Sequence, residues 1–385
     1  MVSFYFHPSY SGSAIQALNL SRHLRRLGVQ PMIVSANLTG SAPEEMVEGI
    51  PVFRIPVATS PNAQIPSFWL AAARFLWKRR ADFDLIHAHG TVQHGVVSLL
   101  GRLVQKPTIL KVAMADSDLA FSRQGRVFGG LNRFMVSRFD RYIATTDNIA
   151  AEFEARRLDS GRVRLIPNGV DTEVFSPVPD DRKGDLRRQL GVPEGPLVSC
   201  VAVVNGRKNI DGLLRIWKHA VDRGAAGHLA IIGPVAEADG PYYKSLCDFV
   251  ATNGLQQRVS FLGQKAAVAP YIQASDVFVF PSKREGMPNA LIEAMSCGLP
   301  CLVSDSSGAA GLIRDGVNGY LLPVSDERGF AERLLTLLRD DSLRRQVGAE
   351  ARAHISGSLS LQSIAARYQA VYKELLRRDA GAASR

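Results

Sequence analysis

The sequence repeats one pattern twice, in which short runs of β-branched and aromatic residues alternate with amphipathic stretches of helical period. The runs of the first half are VSFYF (2–6), PMIVSA, DLIHAH, TILKVA, RYIATT and RVRLIP. After a stretch rich in Pro, Asp and Gly (168–185), the pattern restarts with PLVSCVAVV, HLAIIG, RVSFLG, SDVFVFPS and LPCLVS. Strands that alternate with helices form parallel sheets covered on both faces. The sequence therefore predicts an α/β protein with two doubly wound, Rossmann-like domains.

The length of 385 residues agrees with two domains, because a single core rarely grows beyond ~250–300 residues. We predict an N-terminal domain over 1–175, a linker over 176–190 and a C-terminal domain over 191–360. Residues 361–385 begin with an amphipathic stretch, which predicts a helix that packs back on the first domain. Ligands of open α/β sheets bind outside the carboxyl ends of the strands. A cleft between the domains is therefore the predicted active site.

Composition limits the class of protein. The four cysteines are scattered, with no Cys-x-x-Cys pair and no accompanying His cluster, which argues against a disulfide framework or a zinc site. The amino terminus lacks the pattern of a signal peptide, and no apolar run approaches the ~20 residues that span a bilayer. We therefore expect a cytoplasmic protein without a bound metal.

The net charge is +10, and part of it lies in segments that interleave Arg with aromatic residues. These are ARFLWKRR (73–80) and the stretch that carries Arg126, Arg133, Arg138 and Arg141. Such segments suit an anionic membrane surface or a polyanionic acceptor. The alternative is a core helix with a solvated basic face. Nucleic acid is not an expected partner, because no recognition motif accompanies the charge.

The stretch KREGMPNALIEAMSCGLP (283–300) follows a predicted strand and predicts a helix. Pro288 suits the first turn, where its missing N–H costs nothing, and Gly298 suits the end. Backbone amides at the positive end of a helix favour an anion such as phosphate. The candidate amides are those of Met287, Asn289 and Ala290.

Two carboxylates bracket this helix start. Glu285 precedes the helix and is placed to reach a ligand held at its tip. Glu293 lies about one and a half turns inside, among small residues, where a carboxylate suits two vicinal hydroxyls such as those of a ribose. The alternative is two surface acids on an ordinary strand–helix connection.

This stretch resembles the Glu-x7-Glu signature of retaining glycosyltransferases of family 4, which adopt the GT-B fold. Three further segments are similar to elements of that family: IPNGVDTEVFSP (166–177), DGVNGYLLP (315–323) and SYSGSAIQALNLSRHLRRLG (9–28). The resemblance implies two Rossmann-like domains facing across a cleft. It also implies transfer of a sugar from a nucleotide-activated donor, with no cofactor and no metal.

The resemblance assigns roles to individual residues. Glu285 is expected near the transferred sugar and Glu293 at the ribose. Lys208 matches the Lys that meets the diphosphate of the donor, whereas the family's Arg position falls on Val203. Arg207 is the candidate replacement for that Arg. The expected donor-binding residues are Gly12, Arg207, Lys208, Met287, Pro288, Asn289, Ala290 and Glu293.

The expected acceptor-side residues come from the first domain. His89 follows a predicted strand and is a candidate catalytic residue with Glu285 and Lys208, while His87 lies deeper and His94 falls in the next helix. The further acceptor-side candidates are Asp118 and Asn168. The run DSD (116–118) also fits the Asp-x-Asp metal site of the GT-A architecture, but a pattern that restarts after a linker favours GT-B.

The predicted function is a metal-independent, retaining hexosyltransferase. It would move a sugar from a UDP- or GDP-sugar to a hydroxyl of a glycan, a lipid-linked molecule or a small molecule, in cell-surface polysaccharide or glycolipid synthesis. The expected location is the cytoplasm, peripheral on the inner face of the membrane. Two alternatives remain open: a sugar-nucleotide epimerase of the same fold, and a non-catalytic sugar-nucleotide binder.

Overall fold

The computed structural model describes residues 1–7, 12–90, 95–114, 119, 126–305 and 308–383. Two compact units divide the chain. Unit 1 holds Met1–Gly169 with Leu361–Arg385, and unit 2 holds Val170–Ser360. The division falls before residue 175, where the sequence predicted the end of the first domain. The C-terminal segment belongs to unit 1, which agrees with the prediction of a helix packed back on the first domain.

Both units are built from strands and helices in alternation. The strands are β1 (Ile33–Asn37), β2 (Glu44–Val47), β3 (Ile50–Pro56), β4 (Ile86–His89), β5 (Thr108–Val112), β6 (Arg141–Ala144), β7 (Val163–Leu165), β8 (Leu197–Val201), β9 (His228–Ile232), β10 (Val259–Gly263), β11 (Val277–Phe280), β12 (Cys301–Ser304) and β13 (Tyr320–Leu322). The helices are α1 (Gly12–Arg26), α2 (Pro61–Lys78), α3 (Gly95–Leu103), α4 (Arg126–Val136), α5 (Asp147–Ala155), α6 (Asp180–Leu190), α7 (Ile210–Asp222), α8 (Gly240–Thr252), α9 (Ala269–Gln273), α10 (Asn289–Ser296), α11 (Glu327–Arg339), α12 (Asp341–Ser358) and α13 (Leu361–Ala383).

Unit 1 contains the strand orders β2-β3-β1 and β4-β5-β6-β7. All of these pairs are parallel except the hairpin of β2 and β3. The hairpin turn, which the sequence analysis did not identify, is made by Glu48 and Gly49 with φ of 49° and 78°. Two successive positive φ angles are typical of the tight turns that match the twist of a hairpin.

The amino-terminal segment joins the two halves of this sheet. Val2 forms parallel bridges with Val34 in β1 and with Ala88 in β4. The predicted strand over 2–6 is thereby corrected to a pairing at Val2, because the chain bends two residues later.

Helices cover both faces of the unit 1 sheet. The helices α2, α3 and α4 share one core with the inward residues of β4, including Ile86 and Ala88. Side chains alternate along a strand, so His87 and His89 lie on the opposite face. On that face α1 and α13 pack together. Unit 1 is therefore doubly wound, as predicted.

The contacts of α13 with unit 1 are polar as well as apolar. The Tyr372 hydroxyl lies 2.7 Å from Nδ1 of His87. Arg141 donates to Glu374 at 2.6 Å, and its side chain is 6% exposed. Arg141 was predicted to contribute to a basic surface; the structure corrects this, because its charge is buried and paired.

Unit 2 contains a six-stranded parallel sheet of order β10-β9-β8-β11-β12-β13. The central strands β8 and β11 are neighbours, so their carboxyl ends, at Val201 and Phe280, lie side by side. Their residues are buried on both faces, as expected of parallel strands between helical layers. The candidate active site lies at these two strand ends.

The predicted linker over 176–190 is corrected by the structure, because most of it forms α6 within unit 2. Asp180 and Asp181 lie in the first turn of this helix, where acids are favourable. Gly191 ends it with a φ of 65°. Arg187 is buried and donates to Asp276 at 2.8 Å. This ion pair anchors α6, which has few apolar residues, to the rest of unit 2.

Candidate active site

The loop after β11 positions Glu285. Ser282 is buried, whereas Lys283 and Arg284 are exposed. The hydroxyl of Ser282 donates to Oε1 of Glu285 at 2.7 Å. Only 8% of the Glu285 side chain is exposed. Glu285 is therefore a held, largely enclosed carboxylate, which contradicts the alternative of an ordinary surface acid.

Two cations converge on the same carboxylate oxygen. Nη1 of Arg207 lies 2.6 Å from Oε1 of Glu285, and Nζ of Lys208 lies 2.7 Å from it. Arg207 also donates to the carbonyl of Arg284 at 2.9 Å. Within the described part of the chain, Oε2 of Glu285 accepts no hydrogen bond. One oxygen thus holds the cations together, and the other remains available to a ligand.

The loop after β8 presents these cations. Residues Gly206–Lys208 form a short 3-10 turn in which the side chain of Asn205 accepts from the Lys208 amide at 3.2 Å. Asn209 follows with a φ of 56°, a left-handed conformation that Asn tolerates better than most residues. Its side-chain amide donates to the Pro281 carbonyl at 3.0 Å. This bond ties the cation loop to the loop that carries Glu285.

Lys208 is the more enclosed of the two cations, with 12% of its side chain exposed against 35% for Arg207. Its Nζ lies 4.9 Å from the centroid of the Phe280 ring, a distance at which the face of an aromatic ring attracts a cation. Burial lowers the pKa of Lys208, and the Glu285 carboxylate opposes that shift. The carboxylate beside Lys208 therefore favours its charged form.

The helix start differs slightly from the prediction. Pro288 is the residue that precedes α10, with φ −74° and ψ 117°, and the helix begins at Asn289. Met287 is buried, and Asn289 and Ala290 are half-buried. A Cβ at Gly308 would overlap the Gly286 carbonyl oxygen, so the backbone of a third loop lies against this turn. Gly298 follows the helix with a φ of 73°, as predicted.

Glu293 lies in the second turn of α10 and is half-buried. Burial raises the pKa of its carboxyl to about 7. No hydrogen bond to this carboxyl exists among the residues that the structure describes. A half-buried carboxyl whose oxygens accept no hydrogen bond from the described residues suits a group that receives ligand hydroxyls.

The acceptor-side candidates belong to unit 1. His89 is the last residue of β4 and is 2% exposed. Its ring lies 4.2 Å from that of His87, and burial holds the pKa of His87 well below its usual value. Asn168 is also buried. Gly12 is the exposed first residue of α1. Asp118 and His94 lie outside the described residues.

Sequence reasoning missed some residues of these sites. Ser282 and Asn209 form hydrogen bonds that hold Glu285 and the loop of Arg207 and Lys208 together. The sequence features that could have identified them are a Ser directly after a strand and an Asn directly before a helix. Lys111 was also missed. It pairs in register with His89, is 4% exposed, and burial lowers its pKa to about 7. Its signal was a lysine inside the apolar run TILKV.

The described residues carry few features of other kinds of site. Within the described ranges no group of three or more His, Cys, Asp or Glu side chains is placed to hold a metal ion. The run 116–118 lies outside those ranges. The four cysteines are free. In the part of the chain that the structure describes, every helix is too short or too polar to span a membrane.

Two family descriptions match the chain. The family "Glycosyl transferases group 1" matches residues 182–354, which include the Glu285 site. The "Glycosyl transferase 4-like domain" matches residues 11–169. The chain is a glycosyltransferase of the GT4 type. The family prediction from the sequence is thereby confirmed.

Curated relatives of this GT4-type glycosyltransferase are similar over most of its length. The N-acetyl-alpha-D-glucosaminyl L-malate synthase of Bacillus anthracis is 24% identical over 381 residues, which cover 97% of this chain and 96% of that protein. A second relative is the UDP-Gal:alpha-D-GlcNAc-diphosphoundecaprenol alpha-1,3-galactosyltransferase of Escherichia coli. It is 28% identical over 272 residues, 69% of each chain.

A solved structure gives the same fold for the GT4-type chain. HepE of Anabaena, in complex with UDP and glucose, superimposes with a TM-score of 0.81 at 19% identity and covers 97% of this chain and 99% of its own. The prediction of a GT-B fold with two Rossmann-like domains is confirmed.

Proposed function

We propose that this glycosyltransferase is a retaining hexosyltransferase that takes a sugar from a UDP- or GDP-sugar. The observation that carries the proposal is the convergence of Arg207 and Lys208 on one oxygen of Glu285, at 2.6 and 2.7 Å. Two cations and an acid at neighbouring strand ends match the needs of a sugar diphosphate, which has an anionic leaving group and a hydroxylated sugar. HepE, whose fold this chain shares, was solved with UDP and glucose.

The cations would act on the leaving group. As the bond from C1 of the sugar to the diphosphate oxygen breaks, negative charge develops on that oxygen. Lys208 and Arg207 would stabilise this charge, and a donor of this kind typically contributes ~10²–10³ in rate. Positive side chains in this role make a metal unnecessary, so the enzyme needs no metal for the reaction.

The acceptor hydroxyl would attack C1 on the face from which the diphosphate departs, through an oxocarbenium-like transition state. The new C1–oxygen bond forms as the old one breaks, and the hydroxyl proton passes to a diphosphate oxygen. Glu285, with Oε2 accepting no hydrogen bond within the described residues, would orient the sugar. The configuration at C1 is thereby retained, and catalysis depends on positioning and charge.

Glu293 and the start of α10 would hold the nucleoside. A half-buried carboxyl without a hydrogen-bond partner in the described chain would gain two hydrogen bonds when a ribose offers its vicinal hydroxyls. The backbone of Met287, Asn289 and Ala290, at and just before the first turn of α10, lies beside it and favours the phosphates. Pro288 fixes the entry to that turn.

The acceptor would be a glycan, a lipid-linked molecule or a small molecule with a free hydroxyl. The E. coli relative is named for a diphosphoundecaprenol-linked acceptor, which favours a lipid-held one and a role in cell-surface polysaccharide or glycolipid synthesis. His89, Asn168 and Asp118 are the acceptor-side candidates, and Gly12 the donor-side candidate of unit 1. The enzyme would work in the cytoplasm, peripheral to the inner face of the membrane.

The test is donor hydrolysis. The protein would be incubated with a panel of UDP- and GDP-sugars, with and without a chelator, and the released nucleoside diphosphate quantified. We expect chelator-insensitive release from one donor and retention of configuration in the released sugar or product. Interconversion of donors without release would show an epimerase, and tight binding of a donor without turnover, even with membrane extract, would show a non-catalytic binder.

A further inference from the structure

The outer surface of α3 and α4 in unit 1 exposes large apolar side chains. In α4, Phe128, Leu131 and Phe134 are 73%, 53% and 49% exposed. In α3, Leu99 and Leu103 are 39% and 60% exposed. The two helices pack against each other, so the five side chains share one surface, which we call the α3–α4 face. Adjacent apolar groups of this size at the surface of a soluble unit indicate a contact site.

The α3–α4 face is also basic. Arg102 and Arg133 are exposed on the same two helices, and the guanidinium of Arg138 lies 4.5 Å from the Phe134 ring centroid. The sequences of α3 and α4 contain no acid. The apolar groups are therefore framed by positive charge.

The neighbouring helix α2 extends this surface. It contacts α3, and its sequence also lacks Asp and Glu. Leu70 and Trp77 are 77% and 45% exposed, and Arg80 lies 4.8 Å from the Trp77 ring centroid. Three adjacent helices of one layer thus combine exposed aromatic and aliphatic groups with Arg and Lys. The exposed acid that follows α2, Asp82, is paired with Arg79 at 2.7 Å.

We propose that the α3–α4 face, flanked by α2, docks unit 1 on an anionic lipid bilayer. Apolar side chains that enter the interface, beside cations that meet anionic headgroups, are what peripheral membrane binding requires. A protein partner would more often meet a mixed-charge surface, whereas the sequences of these three helices contain Arg or Lys and no acid. This docking would bring the enzyme to a lipid-held acceptor. That role rests on the proposed function, whereas membrane binding itself does not.

The test is flotation of the full chain with vesicles of phosphatidylcholine, with or without phosphatidylglycerol. We expect binding to the anionic vesicles alone, weaker in high salt because the Debye length falls from ~10 Å at 0.1 M to ~3 Å at 1 M. Phe128→Ser with Leu131→Ser should weaken binding at least ~10-fold, because burial of each group is lost. Arg133→Glu should weaken it at least ~5-fold, the effect of one interfacial cation.

Matched control variants distinguish binding through the α3–α4 face from nonspecific adsorption to vesicles. Met46→Ser removes a 65% exposed apolar group from β2, and Arg328→Glu reverses an exposed charge in unit 2; both should float like the unaltered protein. Equal flotation of the Phe128/Leu131 variant and its Met46 control would overturn the proposal. A change of sedimentation coefficient in that variant without loss of flotation would assign the face to self-association instead.

Binding is measured without donor, and hydrolysis of a soluble donor without vesicles. Loss of flotation with intact hydrolysis in the face variants is the expected pattern. Flotation in a protein that turns over no donor, even with membrane extract, would refute the proposed function and leave the docking surface standing.

Discussion

The ammonium of Lys208 lies 2.7 Å from Oε1 of Glu285, and it is the more enclosed of the two cations on that oxygen. Burial lowers the pKa of Lys208, and the carboxylate of Glu285 opposes that shift and favours the charged ammonium. In a donor complex the diphosphate would take over the role of counter-anion.

Lys208→Ala should reduce nucleoside diphosphate release about 10²–10³-fold, because the charge nearest the leaving group is lost. The measurement is initial rate with the best donor of the panel. The matched control is Lys218→Ala, which removes a lysine paired with Asp222 in α7 and should stay near the unaltered rate. Equal rates in the two variants would exclude Lys208 from the chemistry.

Ser282→Ala should lower kcat about tenfold with little change in KM for the donor. The hydroxyl holds Glu285 at 2.7 Å, and a hydrogen bond to a charged group contributes about 1.5 kcal/mol or more. Ser282→Thr keeps a hydroxyl and should recover part of the rate. Ser245→Ala, at an exposed serine of α8, is the control. A rise in KM without a fall in kcat would instead place Ser282 in donor binding.

Glu293→Gln should change the pH dependence of stability. The carboxyl has a pKa raised from 4.5 to about 7 in the folded protein. Between these pH values the unfolded chain has lost the proton that the folded chain keeps, so the free energy of unfolding falls as pH rises. Relative to the Gln variant, the unaltered protein should lose about 1–3 kcal/mol between about pH 5 and about pH 8.

Urea unfolding at several pH values measures this difference. Glu350→Gln, at an exposed acid of α12, is the control and should show no comparable trend. If the difference in the free energy of unfolding between the Glu293 variant and the unaltered protein does not change with pH, the pKa of this carboxyl is not raised in the folded protein.

Glu374→Ala should destabilise unit 1 by about 1–3 kcal/mol, because it leaves the buried Arg141 charge without the acid that lies 2.6 Å away. This loss is smaller than the ~3–5 kcal/mol usual for breaking a fully buried ion pair, because a third of the Glu374 side chain is exposed. Glu332→Ala breaks an exposed pair with Arg223 and should cost less than about 1 kcal/mol. Thermal unfolding of both variants gives the comparison, and equal shifts would contradict the buried role of Arg141.

The sequence predicted the elements whose residues are apolar and regular. The parallel strands of unit 2 are continuous runs such as VSC and VFVF, so β8 and β11 could be predicted as strands. The sequence did not predict that β8 and β11 are neighbours, and this pairing brings Arg207 and Lys208 to Glu285. Helix α6 could not be predicted from periodicity, because an ion pair between Arg187 and Asp276, far apart in sequence, stabilises it.

Other features depend on tertiary contacts that local patterns do not reveal. Arg141 is one of several similar Arg residues in the sequence, and only the approach of Glu374 distinguishes the buried one. The raised pKa of Glu293 likewise results from burial, which its sequence position does not reveal. Acidic spacing identified the residue, but its environment came from the fold.

The position of α13 has a consequence for synthesis of the chain. The sheet of unit 1 leaves the ribosome first, whereas the helix that supplies Tyr372 to His87 and Glu374 to Arg141 is translated after all of unit 2. Domains generally fold as units while the chain emerges. Unit 2 is thus able to finish folding while one face of unit 1 still waits for its last helix, and a ribosome that stalls before residue 361 would leave a nascent chain that chaperones must protect.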